Sequence, residues 1–137
     1  MPANAKTPKV LDSFALLAFL NREPGFEKVR TLLRTAETAS EPLLMNEINV
    51  GEVFYIIAKA RSLEKAEDFL HRLATLPIQP VSNVFPDVLE AARVKAQFPL
   101  SYADAFAVST ALRLQAIVIT GDPEFHTVEH LVEILWL

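Results

Sequence analysis

The chain alternates short apolar segments with longer segments whose apolar residues recur at helical spacing, and this alternation constrains its fold most strongly. Two parallel strands need a crossover of a dozen or more residues, which is usually a helix. We therefore predict an α/β fold in which a mostly parallel sheet is covered by helices on both faces. The predicted strands are residues 9–11, 42–45, 78–81, 116–119 and 132–137. The predicted helices are residues 13–21, 26–38, 46–60, 62–76, 83–97 and 101–114.

The length and composition narrow the classes of protein to which the chain can belong. We expect 137 residues to form a single domain over residues 8–137, after a disordered tail at residues 1–7. The absence of cysteine excludes disulfides, thiolate zinc sites and cysteine nucleophiles, and the three glycines form no phosphate-binding loop. No apolar stretch is long enough to span a membrane, so we expect a soluble, cytoplasmic protein.

The net charge of −4 is unusual for a protein that binds nucleic acid. If four of the 17 acidic residues are metal ligands, the remaining acids equal the 13 lysines and arginines in number. Phosphate binding would then depend on the metal and on local basic residues. The net charge by itself therefore does not exclude a nucleic-acid substrate.

Three aspartates lie close to predicted strand ends, where parallel sheets bind their ligands. Asp12 directly follows the first strand, Asp122 comes shortly after the fourth, and Asp104 lies in the first turn of the helix before it. Each also has a purely structural interpretation as a helix cap. Asp12 precedes a helix, Asp104 stands three residues after Ser101, and Asp122 precedes Pro123. The sequence leaves both interpretations open.

Glu52 differs from these aspartates because it lies inside a strongly apolar predicted helix. A charge in such a place needs a partner, which Lys28 or Lys59 could supply if the side chain is partly exposed. A metal site explains all four acids together, because carboxylate oxygens suit Mg²⁺ or Mn²⁺ and crowded carboxylates need a cation. This chemistry is typical of metal-dependent phosphodiesterases.

Four segments carry these acids in a recognisable order. They are V-L-D-S-F-A-L-L-A-F-L at 10–20, I-N-V-G-E-V-F-Y-I-I-A at 48–58, L-S-Y-A-D-A-F-A-V-S-T-A at 100–111 and V-I-T-G-D-P-E-F at 118–125. In this order and spacing the chain resembles the PIN-domain nucleases, and most closely the VapC-type toxins of toxin–antitoxin pairs. The resemblance covers nearly the whole chain.

The resemblance implies an endoribonuclease that uses Mg²⁺ or Mn²⁺ and cleaves RNA phosphodiester bonds with a metal-activated water. It also implies a PIN-like three-layer α/β/α sandwich with about five short strands, a homodimer, and inhibition by a cognate antitoxin protein. The acidic positions of the family, which bind the metal and carry catalysis, fall on Asp12, Glu52, Asp104 and Asp122. Hydroxyl positions that often line the site fall on Ser13 and Thr120.

Other functions fit the residues less well. An aspartyl-phosphate phosphatase needs a second acid two residues after the first, where this chain has Phe14. A degenerate PIN domain that acts only as a protein or RNA interaction module would be favoured by loss of an acid, and all four are present. Glu47 lies about 140° around the helix from Glu52, so we expect it outside the cluster. The sequence does not identify the RNA that is cleaved.

Overall fold

The computed structural model describes residues 7–137, so the predicted tail lies outside the described residues apart from Thr7. In this part of the chain, strands alternate with helices as predicted. The strands are β1 (Lys9–Leu11), β2 (Leu43–Asn46), β3 (Ile78–Val81), β4 (Ile117–Thr120) and β5 (Ile134–Trp136). The α-helices are α1 (Ser13–Leu20), α2 (Phe26–Ala39), α3 (Glu47–Ala60), α4 (Leu63–Leu73), α5 (Phe85–Gln97) and α6 (Tyr102–Leu114). A 3₁₀ helix spans Pro123–Val128.

The five strands form one sheet in the order β3-β2-β1-β4-β5, and every neighbouring pair is parallel. Strands β1 and β4 are in register with Lys9 opposite Ile117 and Leu11 opposite Ile119. The chain builds outward from β1 to one side through β2 and β3, then returns to the other side of β1 with β4 and β5. The prediction of a mostly parallel, five-stranded sheet is confirmed.

Successive side chains of a strand point to opposite faces of the sheet. Because both faces of this sheet are apolar, helices cover both of them. Val10 and Val118 face a core formed with α5, α6 and the 3₁₀ helix, whereas Leu11 and Ile119 face a core formed with α1 to α4. All four side chains are fully buried. The molecule is thus the predicted three-layer α/β/α sandwich.

Local signals set most helix boundaries. The Ser62 hydroxyl accepts a hydrogen bond from the Lys65 N–H at 3.1 Å and caps α4, and Pro86 occupies the first turn of α5. Helix α4 ends earlier than predicted, since the residues just before Pro77 form tighter turns, with the Leu76 N–H bonded to the Leu73 carbonyl. The 3₁₀ helix is not among the predicted helices, because six residues are too few for a helical period, although its cap at Asp122 before Pro123 is one of the two interpretations of that residue. None of the helices in residues 7–137 is long and apolar enough to cross a membrane.

Candidate active site at the carboxyl edge of the sheet

The strand order places a topological switch point between β1 and β4. The connections that leave these two adjacent strands run to opposite sides, which opens a crevice beyond their carboxyl ends. Asp12 directly follows β1, and Asp122 follows β4 after a single glycine, Gly121. Both predicted strand-end acids therefore flank the point where an open α/β sheet ordinarily binds its ligand.

Asp12 is completely buried at this edge. Its Oδ1 accepts a hydrogen bond from the Ala15 N–H at 2.8 Å and caps α1, and its Oδ2 accepts a bond from the Thr120 hydroxyl. Burial is the main cause of a pKa of Asp12 raised to about 8; the two hydrogen bonds oppose the rise, and the negative charges of Asp104 and Asp122 add to it. A carboxyl group held in this state favours a proton, or a cation in its place.

Asp104 is 8% exposed in the first turn of α6. Its N–H donates to the Ser101 hydroxyl at 3.1 Å, so Ser101 is the predicted helix cap. Burial raises the pKa of Asp104 to about 6, opposed by a hydrogen bond with Ser101 and assisted by the charges of Asp122, Glu52 and Glu124. The helices that carry these acids therefore bring them within electrostatic reach of one another.

Asp122 is joined to Asp12 through one hydroxyl. The Asp122 N–H donates to Thr120 Oγ1 at 3.0 Å, while the same hydroxyl donates its proton to Asp12. Asp122 Oδ1 accepts a bond from the Glu124 N–H at 2.9 Å and caps the 3₁₀ helix. Thr120 thus links two of the acids, and its role in lining the site stays a prediction.

Glu52 is half-buried in α3, and its charge acts on Asp104. No ion pair involves Glu52 among the residues that the structure describes. Lys28 instead donates a hydrogen bond to the Trp136 carbonyl at 3.0 Å. The structure therefore gives no support to a simple surface pair between Glu52 and a lysine.

The structural interpretation of the aspartates is confirmed, but it does not compete with a functional one. Asp12 and Asp122 cap helices through one carboxylate oxygen each, and Asp104 occupies the first turn behind a serine cap. A carboxylate has about four lone-pair positions, so a single capping bond leaves it able to bind a ligand. Capping fixes the orientation of these acids.

Asn49, three residues before Glu52 in α3, is a completely buried polar residue at the site. Its Nδ2 donates to the Ala103 carbonyl at 3.0 Å and to Ser13 Oγ at 3.4 Å. The backbone carbonyl of Asn49 accepts a hydrogen bond from the Ser13 hydroxyl at 3.2 Å. Ser13 adjoins Asp12 and Ala103 adjoins Asp104 in sequence. Asn49 therefore ties together the three helices that carry these acids and Glu52, while its Oδ1 is buried without a hydrogen-bond partner.

Glu47, which we expect outside the cluster, bonds elsewhere, and His126 lies at the surface. Glu47 Oε1 accepts a hydrogen bond from the Asn83 N–H at 3.2 Å, at the ends of β2 and β3. His126 is exposed, and its ring stacks on Trp136 at 4.3 Å while its Nδ1 contacts Glu129 at 2.9 Å. The histidine is a surface residue of the 3₁₀ helix.

The donor set of the cluster fits a hard divalent cation. No group of three or more acidic or histidine side chains in residues 7–137 converges closely enough to form a ready-made metal site. The chemistry of the donors nevertheless suits Mg²⁺ or Mn²⁺, because all four are carboxylates with free lone pairs. A nearby cation would favour the charged forms of Asp12 and Asp104 and so lower the pKa values that burial raises.

Comparison with known proteins relates the chain to one sequence family. The family model of the PIN domain matches residues 9–131, a range that includes all four acids. No curated protein sequence matches the chain.

Solved structures share its fold. VapBC2 from Rickettsia felis, bound to a DNA fragment from the promoter, matches with a TM-score of 0.75 and 12% identity, over 94% of this chain and 98% of the other. VapBC-1 from nontypeable Haemophilus influenzae matches with a TM-score of 0.66 and 18% identity, over 93% and 96%. VapC20 from Mycobacterium tuberculosis, a toxin that cleaves the sarcin-ricin loop, matches with 0.67 and 14%, over 86% and 92%. Because these sequence identities are low, the structural similarity shows that the proteins share a fold.

Proposed function

The chain belongs to the PIN domain family, and from that premise we propose that it is a Mg²⁺- or Mn²⁺-dependent endoribonuclease. We further propose that it is the toxin of a VapBC-type toxin–antitoxin module. The observation that carries the proposal is the buried carboxylate cluster at the switch point of the sheet, where burial and neighbouring charges raise the pKa of Asp12 and Asp104. Acids in this state are typical of functional sites.

The four acids Asp12, Glu52, Asp104 and Asp122 would hold the cation. When bound, the cation neutralises charge on the scissile phosphate and lowers the pKa of an attacking water. The chain's own part is to fix the ligands. The Thr120 hydroxyl and the Ala15 N–H leave Asp12 one orientation, and complete burial keeps bulk water away from that carboxylate.

The proposed partners follow from the solved relatives in fold. Several of them are complexes of toxin–antitoxin pairs, including VapBC-1 and a toxin–antitoxin complex from Klebsiella pneumoniae, and this supports a cognate antitoxin. VapC20 cleaves an RNA loop, which supports an RNA substrate. A homodimer is supported by large apolar side chains exposed on α5, namely Phe85 and Leu89. We place the activity in the cytoplasm.

One observation favours a second function. The acids do not form a ready-made metal site in the part of the chain that the structure describes. A catalytically weak PIN domain that acts as a protein or RNA interaction module would leave the acids in such an arrangement. This function predicts RNA binding that is independent of divalent cations.

An RNA cleavage assay distinguishes the two functions. We expect the wild-type protein to cleave RNA with Mn²⁺ but not with EDTA, and the Asp104→Asn variant to lose at least about 100-fold in rate, since even outer partners of ligands contribute 10- to 100-fold. The matched control is Asp87→Asn, a carboxylate paired with Arg113 outside the cluster, which should cleave like wild type. Cleavage that survives Asp104→Asn would show that the assigned cluster is wrong.

A further inference from the structure

Three exposed aromatic side chains lie on the helices that carry or directly follow three of the four acids. Phe14 is 42% exposed, Tyr55 is 51% exposed and Tyr102 is 44% exposed. Each lies within three positions of one of the four acids, and the two tyrosines are the only ones in the chain. Large aromatic side chains are ordinarily buried, so exposed rings on the helices of the acids indicate a surface that binds a ligand. We call Phe14, Tyr55 and Tyr102 the aromatic rim.

Phe14 is held in place by the loop that carries Asp122. Its ring lies directly against the α-carbon of Gly121, and a Cβ at position 121 would overlap the ring. One side of the ring therefore packs against Gly121, which stands between Thr120 and Asp122 in the chain, and the rest of the side chain is exposed. This close approach explains why the residue between these two site positions is glycine.

The two tyrosines lie on α6 and α3, the helices of Asp104 and Glu52. The Tyr102 ring packs against the Phe106 ring with centroids 5.0 Å apart and planes tilted by 57°, and Tyr102 stands two residues before Asp104. Tyr55 stands three residues after Glu52 in α3, so the two lie on neighbouring positions of one helical face. The rim therefore draws on the same three helices as the acids.

The charges of the molecule limit what can bind at this rim. The chain carries a net charge of −4, and the proposed site is made of four carboxylates, so attraction to phosphate groups is weak without a bound cation. Stacking of bases on aromatic rings needs no positive charge and works with any base. An RNA strand thus has an uncharged means of holding its nucleotides next to the acids.

We propose that the aromatic rim, with Phe14 as its principal member, is a stacking platform for unpaired bases next to the scissile phosphate. This inference rests on the proposed function, because it takes RNA as the substrate. The bases of a duplex are stacked on one another and unavailable to the ring, so the platform selects single-stranded segments. A rim built for a protein partner is the competing case, and the neighbouring carboxylates favour the nucleotide because they interact with its cation-bound phosphate.

The binding test uses a single-stranded RNA heptamer with 2-aminopurine at its centre, whose fluorescence falls when the base stacks. With EDTA present to keep the RNA intact, wild type should quench the probe. The Phe14→Leu variant, which keeps an apolar contact with Gly121 but lacks a ring face, should bind about 5- to 150-fold more weakly, and Phe14→Tyr should restore binding. Leu63→Ala is the control, because Leu63 is 68% exposed on α4, which carries none of the four acids and no proposed interface. It should bind like wild type.

The kinetic test separates this inference from the function on which it rests. In steady-state cleavage with Mn²⁺, Phe14→Leu should raise KM for single-stranded RNA by a similar factor and change kcat much less. RNA cleavage that is as efficient in Phe14→Leu as in wild type would overturn the platform alone. A wild-type protein that stacks the probe through Phe14 but cleaves no RNA would overturn the proposed function alone. Equal binding of the heptamer and a fully paired duplex would also overturn the platform.

Discussion

Two corners of the same sheet edge solve the problem of a buried polar side chain in opposite ways. At the end of β2, Asn46 is completely buried, and all its hydrogen-bonding capacity is used. Its Nδ2 donates to Asn83 Oδ1 and Thr110 Oγ1, both at 2.8 Å, and its Oδ1 accepts from the Ile48 N–H at 2.9 Å and from Asn83 Nδ2 at 3.0 Å. The buried side chain at this corner is uncharged, and all its polar atoms are hydrogen-bonded.

At the end of β1, Asp12 is equally buried, but it is a carboxylic acid with the charges of Asp104 and Asp122 nearby. Its two hydrogen bonds do not offset its burial, and its pKa is raised to about 8. A purely structural site would carry an amide here, as the β2 corner does. The contrast indicates that the β1 corner keeps carboxylates at a cost in stability, which is the pattern expected of a functional site.

The largest effect should come from giving the neutral corner a charge. In Asn46→Asp at pH 7, a carboxylate oxygen would face Asn83 Oδ1 and the Thr110 hydroxyl, whose proton is already donated to the Phe106 carbonyl. We expect the free energy of unfolding to fall by about 3–5 kcal/mol, as for other unpaired buried charges. Urea unfolding at pH 7 measures the change. A loss below about 1 kcal/mol would mean that the two corners tolerate charge equally.

The reverse change, Asp12→Asn, should stabilise the metal-free protein at high pH. The folded pKa of Asp12 lies above its ordinary value of 3.8, so its contribution to stability is full below about pH 4 and is lost as pH rises towards 8. Wild type should therefore lose about 1.4 kcal/mol per pH unit relative to Asp12→Asn between about pH 5 and pH 7. Urea unfolding of both proteins in EDTA across this range gives the difference. Parallel pH profiles would contradict the raised pKa.

A smaller effect is expected from the residue that links the helices of the acidic corner. Asn49→Ala removes the donors to the Ala103 carbonyl and Ser13 Oγ and should lower the free energy of unfolding by about 1–3 kcal/mol. RNA cleavage should fall as well, because the acid-bearing helices lose a common tie. Asn21→Ala, at an exposed asparagine, is the control and should change stability by less than about 0.5 kcal/mol. Equal losses of stability and of cleavage rate in Asn49→Ala and Asn21→Ala would show that Asn49 has no special role at the site.

The sequence predicted the class of fold and the strand-end acids because both depend on local patterns. Apolar runs and helical spacing place β1 to β5 within a few residues, and the caps at Ser62 and Ser101 have short-range signals. The roles of the four acids stay a prediction, although the structure brings their charges within reach of one another.

Long-range features left no such signal. The Asn46–Asn83 pair joins residues 37 positions apart, and Asn49 meets Ala103 across 54 positions, so neither contact follows from neighbouring residues. The order of the strands and the contact of Phe14 with Gly121 likewise depend on how the crossovers return to the sheet. The predicted tail at residues 1–7 lies, apart from Thr7, outside the described residues.

The most direct measurement of the central claim is thermal unfolding during a titration with Mn²⁺. A cation that binds only the folded protein stabilises it by about 2.7 kcal/mol at 100 times its Kd, which should raise the Tm of wild type by about 10 °C. Asp87→Asn should show the same rise, and Asp12→Asn should show none. A wild-type Tm that does not change with Mn²⁺, or an equal rise in Asp12→Asn, would contradict a metal site at the β1 corner.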